Sequence, residues 1–185
     1  VPKNIARIPL PEQSEISEEI KTILEKYPPI NVYAILAHAP SCCGPWIDLI
    51  KGIYATGIDV RLREIAICRI GYLTGSDYEL HQHHFIALKN GVTEEEIQII
   101  TSEGPVSSLD IDGNFICQVV DELEKTAKIT DETFLRLREM FSVSDMVAFG
   151  VMLATYCAVG RLANFCRLEI EPSNPLQGFV GFATK

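Results

Sequence analysis

The stretch EIAICRIGYLTGSDYELHQHHF, residues 64–85, carries the reading of the fold. Ile65, Ala66, Ile67, Ile70 and Leu73 make its first half apolar on nearly every side, the pattern of a helix buried in a core. Thr74-Gly75-Ser76-Asp77 breaks that pattern with turn residues, and a second helix follows. The spacing predicts helices over 60–73 and 76–90, with Gly91 closing the second. Three of the four histidines in the chain fall between His81 and His84.

Residues three or four apart share a helix face, so Glu79 neighbours His83, Tyr78 neighbours Gln82, and His81 neighbours His84. Phe85 and Leu88 lie one turn after His81 and His84, which makes those histidines boundary residues. Glu64 sits in the apolar helix with Cys68 one turn further on. A carboxylate there costs free energy unless it is paired or protonated, so Glu64 is a candidate general acid or base. An ion pair with Arg61, Arg63 or Arg69 would explain it equally well. Zinc helices use paired ligands, as in H-E-x-x-H. Only Glu79 and His83 have that spacing here, and His38 is isolated, so no metal and no cofactor is expected.

Working outward, almost every segment predicts helix. SEISEEIKTILEKY (14–27) ends at Pro28-Pro29, NVYAILAHAP (31–40) ends at Pro40, and PWIDLIKGIYATG (45–57) starts on its proline. Thr93 opens a short helix through a capping box in TEEE. EGPVSSLDIDG is the one long irregular connection. Helices follow over about 113–127, 130–140 and 144–168. In the last of these Gly150, Ala154 and Ala158 recur every four residues, which lets another helix approach closely. The tail from Glu169 keeps Leu176, Phe179, Val180 and Phe182, so it is expected to pack on its own or a neighbouring subunit. No run alternates with period two. The chain is predicted to be an all-α, single-domain helical bundle over 1–185, with its core motif at about 60–100.

Composition narrows the function. With 47% hydrophobic and 22% charged residues the chain is globular in type. A net charge of −9 argues against nucleic acid or an anionic membrane as partner. The apolar run from Met146 to Gly160 is short of a membrane span and reads as a buried helix. No charged-then-apolar leader opens the sequence, and none of the six cysteines forms C-x-x-C. A reducing cytoplasm is the expected setting.

The run LREIAICRIGYLTGSDYELHQHHFIALKNGVTEEEI resembles the carboxymuconolactone decarboxylase family, whose fold is that of the alkylhydroperoxidase D proteins. Arg63-Glu64, Thr74-Gly75-Ser76, Tyr78-Glu79, Gln82-His83, Ala87 and Gly91 carry the resemblance, with YEL where YEW is usual. NVYAILAHAP and YCAVGRLANF resemble the flanking segments. The two cysteines of the peroxidase branch fall on Ser76 and Glu79, so the thiol pair is absent. The resemblance therefore implies the decarboxylase branch: cofactor-free acid–base chemistry, a decarboxylation or isomerisation, on a small carboxylated lactone or enol.

His83 would be the proton shuttle, Glu64 its orienting partner, and Tyr78 a donor to developing negative charge, with Glu79 completing the catalytic set. Arg61, Arg63 and Arg69 are the nearest candidates to bind the substrate carboxylate. The resemblance also implies a homo-oligomer, a trimer or hexamer. Two other readings compete. One is a thiol peroxidase using Cys68, with Cys42-Cys43 a poorer choice. The other is a non-catalytic binding or scaffold protein, which a solvent-exposed Glu64 and no cavity near His83 would favour.

Overall fold

The computed structural model describes residues 6–173, 175 and 176. Among them it forms nine α-helices, one short 3-10 turn and no strand. Polar caps set the helix starts. Ser17 caps α1 (Glu18–Leu24), Asp59 caps α4 (Val60–Leu73) and Ser76 caps α5 (Asp77–Lys89), each side chain accepting from a backbone amide of the first turn. Thr93 and Glu96 make the expected capping box on α6 (Glu94–Ile100). Asp110, Thr130 and Ser142 do the same work for α7 (Ile111–Thr126), α8 (Asp131–Met140) and α9 (Val143–Cys166).

The early helices differ from the sequence expectation. α1 spans seven residues only. Asn31–Ala34 forms α2, the 3-10 turn takes Ile35–His38, and α3 runs Pro40–Tyr54 with Pro45 inside it. Pro40 suits a first helical position because it lacks an amide that would go unpaired. Pro45 removes one amide from the helix, and Gly44 before it lessens the crowding that a Cβ there would add.

α4 is the central element and packs against α5, α6, α7 and α9. Ten consecutive residues, Leu62 to Gly71, are buried, so the helix buries charge as well as Ile65, Ile67 and Ile70. The turn into α5 is tight. Gly75 takes φ 62°, a left-handed conformation that favours glycine, and Thr74 bonds back to the Ile70 carbonyl at 2.8 Å.

α9 crosses this turn where Gly160 faces it; a Cβ there would stand 2.8 Å from Thr74 Oγ1. Among the described residues α9 comes closest to its neighbours at Gly160, outside the series Gly150, Ala154 and Ala158 that would suit a crowded bundle or a subunit contact. Gly150 and Ala154 are exposed, beside Val147 and Val151, on the outer face of α9. α9 is long and apolar enough to cross a membrane, and half of its most apolar window is buried in the protein. In the tail Leu176 is buried, while Phe179, Val180 and Phe182 lie outside the described residues.

Candidate functional site

Glu64 lies in the second turn of α4 and is fully buried. α5 presents Tyr78, Glu79, Gln82 and His83 on the buried side that meets α4 and α9. The two helices bring Glu64 Oε2 to 2.8 Å from His83 Nδ1. Its other oxygen, Oε1, accepts from Arg63 Nε at 3.1 Å. On the far side of the imidazole, Nε2 stands 3.5 Å from Glu79 Oε1. The ring therefore lies between two carboxylates, with Arg63 offsetting one of them.

Aromatic groups enclose the set. The Arg63 guanidinium lies 4.2 Å above the Tyr54 ring, a contact that favours the cation away from water. Tyr156 donates to the Tyr54 hydroxyl at 3.1 Å and packs edge-on against His83, with ring centroids 5.1 Å apart. Burial by itself disfavours the imidazolium, yet Glu64 and Glu79 outweigh it and His83 is raised above its ordinary range. Burial also raises Glu79, reinforced by Glu64 and opposed by His83, to about 7. Both shifts favour the protonated forms, and the two groups stand close enough to share a proton. With Nδ1 held by Glu64, Nε2 is the atom free to take up and return it.

His83, Glu79, Tyr33, Tyr54, Tyr78 and Gln82 help to line a small cavity of about 50 Å³, with Leu176 on its wall. A larger open groove of about 1410 Å³ runs between α4 and α7, but Glu64, Glu79 and His83 are not on it. Its basic residues Arg69, Lys125, Arg136 and Arg161 are interspersed with Glu103, Asp121, Glu122 and Glu124, so it has no single charge to offer. The chemistry points to the smaller space.

The predicted residues divide accordingly. Glu64, Glu79 and His83 come together. Tyr78 lines the same cavity, but its hydroxyl donates to Glu171 at 2.7 Å and accepts from the Val32 amide at 3.1 Å. Of the arginines only Arg63 reaches the set. Arg61 pairs with Glu96, and with Asp110 at 2.9 Å. Arg69 binds Asp121 and the carbonyls of Ile100, Ser102 and Gly104. His81 and His84 are half-buried beside Phe85, as boundary residues should be.

Sequence reasoning missed Tyr54, Tyr156 and Glu171. A tyrosine inside the apolar run of α9 was a usable signal, because a buried phenol needs a partner. Nothing local marked Glu171. Cys68 is buried, and burial, then Glu64 and Glu79, push its thiol well above the ordinary range, which disfavours the nucleophilic thiolate.

Residues 45–106 match the family model described as "Carboxymuconolactone decarboxylase family". No curated protein matches the sequence. The fold is similar to that of an alkylhydroperoxidase AhpD core, an uncharacterized peroxidase-related protein from Ralstonia eutropha JMP134. The TM-score is 0.80 and the identity 17%, with 96% of this chain and 98% of that one covered. An uncharacterized peroxidase-related protein from Silicibacter sp. TM1040 is similar at TM-score 0.79 and 14% identity, over 95% and 97% of the two chains.

Proposed function

With residues 45–106 belonging to the carboxymuconolactone decarboxylase family, we propose that this protein is a cofactor-free acid–base enzyme that decarboxylates or isomerises a small carboxylated lactone or enol. The observation that carries the reading is the buried Glu64–His83–Glu79 array, of which His83 and Glu79 line a cavity. In a decarboxylation the C–CO₂⁻ bond breaks, its electron pair passes into the conjugated enolate, and CO₂ leaves. A proton from His83 Nε2 then adds to carbon, and Glu79 or solvent restores it. Glu64 keeps Nδ1 engaged and stabilises the imidazolium. Arg63 acts through Glu64, donating to the carboxylate oxygen that His83 does not engage.

The competing peroxidase reading has less support, because the buried thiol of Cys68 lacks the electropositive, accessible surroundings a reactive cysteine needs. A purely structural role is disfavoured by a buried Glu64 beside a cavity. The proposal also includes a cytoplasmic homo-oligomer, for which the exposed Val147, Val151 and Ala154 of α9 supply a contact face.

The test is a panel of carboxylated lactones assayed for CO₂ release and for deuterium incorporation from D₂O. The wild-type protein is expected to turn over at least one member. His83→Gln should lower the rate by about 10²–10⁴-fold, the usual range for a lost acid–base group. Cys68→Ser should leave it unchanged. Turnover that survives His83→Gln and vanishes with Cys68→Ser would overturn the assignment.

A further inference from the structure

Glu171 reaches from beyond the end of α9 to the exposed end of the buried α5 face. Its Oε1 accepts from the Tyr78 hydroxyl at 2.7 Å and from the Asn31 backbone amide. Its Oε2 accepts from Gln82 Nε2. Three donors from two separate elements therefore converge on one carboxylate. Tyr78 and Gln82 are themselves almost fully buried, so their donors are set in the packed wall of the protein. Tyr78 and Gln82 also line the cavity that His83 and Glu79 face.

Gln82 Oε1, moreover, is buried and has no hydrogen-bond partner among the described residues. Turning the amide over would not cure this, because it would set Oε1 against the carboxylate of Glu171. The amide thus offers a satisfied donor and an unanswered acceptor side by side. An unanswered buried acceptor costs free energy, so it marks a place where a ligand group could add binding.

We propose that Tyr78, Gln82 and the Asn31 amide form a carboxylate-binding subsite, which Glu171 of the same chain fills, and that its exogenous ligand is a small carboxylate bearing a hydroxyl donor for Gln82 Oε1. This deepens the functional reading above and rests on it for the identity of the natural ligand. It also accounts for two features of that reading. Arg61 and Arg69 are committed elsewhere, so a substrate carboxylate needs other donors. The cavity of about 50 Å³ has room for only a water or two, whose share of liquid volume is about 30 Å³ each. A carboxylated lactone that took the place of the Glu171 carboxylate on Tyr78 and Gln82 would lie on the cavity that His83 and Glu79 line. Donors that accept one can accept the other.

The experiment is chemical rescue of the full-length Glu171→Ala protein by acetate and by glycolate, read as thermal stability at fixed ionic strength with chloride as the control. A ligand that binds only the folded state raises stability by mass action. Removing the intramolecular competitor should tighten the apparent affinity for acetate by about tenfold or more relative to wild type. Acetate is therefore expected to raise the Tm of Glu171→Ala by several degrees while leaving wild type nearly unmoved. Glycolate should exceed acetate, and adding Tyr78→Phe should abolish both effects.

If Glu171→Ala does not fold unaided, the same comparison is made on refolding yield, which acetate should restore and chloride should not. Equal effects of acetate and chloride, by either readout, would overturn the subsite. Equal effects of glycolate and acetate would overturn the hydroxyl's part in it. None of these readouts involves turnover. A protein that decarboxylates nothing can still be rescued by acetate, and a failed rescue leaves the His83 chemistry to be judged by its own assay.

Discussion

Glu79 shows what burial does to a single residue. Its carboxyl is raised from 4.5 to about 7, chiefly by desolvation. The folded protein therefore holds a proton between those values that the unfolded chain has already released. Stability must then fall as pH rises through the window, at about 1.4 kcal/mol per unit, or on the order of 3 kcal/mol in all. His83, raised above 6.5, adds a loss of the same sign just above that value.

Glu79→Gln removes the first contribution. Urea unfolding should find the variant more stable than wild type at pH 8, with a flatter profile between pH 5 and 7. Parallel profiles for the two proteins would place the titrating group elsewhere. At this scale the apolar run EIAICRIGYL marked Glu64 as a charge in need of a partner, and the family resemblance picked out His83. The sequence was silent about Tyr54 and Glu171. Their roles depend on chain segments far apart in sequence, and no local pattern records which side chain will fill a gap.

At the scale of the element, polar caps and apolar periodicity determine where helices begin and which face they bury. That is why α4, α5, α6 and α8 sit within a residue or so of their predicted bounds. Proline was the weaker guide. The pattern GPW predicts a start at Pro45, but the helix already begins at Pro40 and runs on through Pro45. The small residues of α9 were legible as a class, but periodicity of four does not say whether their face meets the chain's own core or a second copy.

Two glycines of α9 make that distinction measurable. Gly150 has no atom within 4 Å of an added Cβ, so Gly150→Ala should gain the helix propensity difference, about 0.5–1 kcal/mol. Gly160→Ala places its methyl 2.8 Å from Thr74 Oγ1, which is committed to the carbonyls of Ile70 and Gly71 and cannot give way freely. Overpacking of this kind costs about 1–3 kcal/mol. Denaturant midpoints should therefore move in opposite directions. If both variants are stabilised, α9 does not approach the α4–α5 turn as closely as Gly160 requires.

Across the whole molecule, Arg69 joins parts that share little else. From the middle of α4 its guanidinium binds both oxygens of Asp121 on α7, at 2.6 and 3.1 Å. It also binds the carbonyls of Ile100, Ser102 and Gly104, at 2.8, 2.9 and 2.7 Å. Five hydrogen bonds from one planar group thus fix the chain leaving α6 to both α4 and α7. They satisfy backbone oxygens that an irregular connection would otherwise leave unpaired against the core.

A lysine cannot reproduce this geometry, because its ammonium has three donors and no plane. Arg69→Lys should therefore destabilise nearly as much as Arg69→Met. Each is expected to cost about 3–5 kcal/mol, as when one partner of a buried ion pair is removed. Amide hydrogen exchange should localise the loss to residues 100–106 and the adjoining turns of α7, leaving α5 protected. If Arg69 instead held the substrate carboxylate, Arg69→Lys would retain the fold and lower carboxylate affinity. Unfolding and acetate titration of the same variant separate a brace within the protein from a ligand at its site.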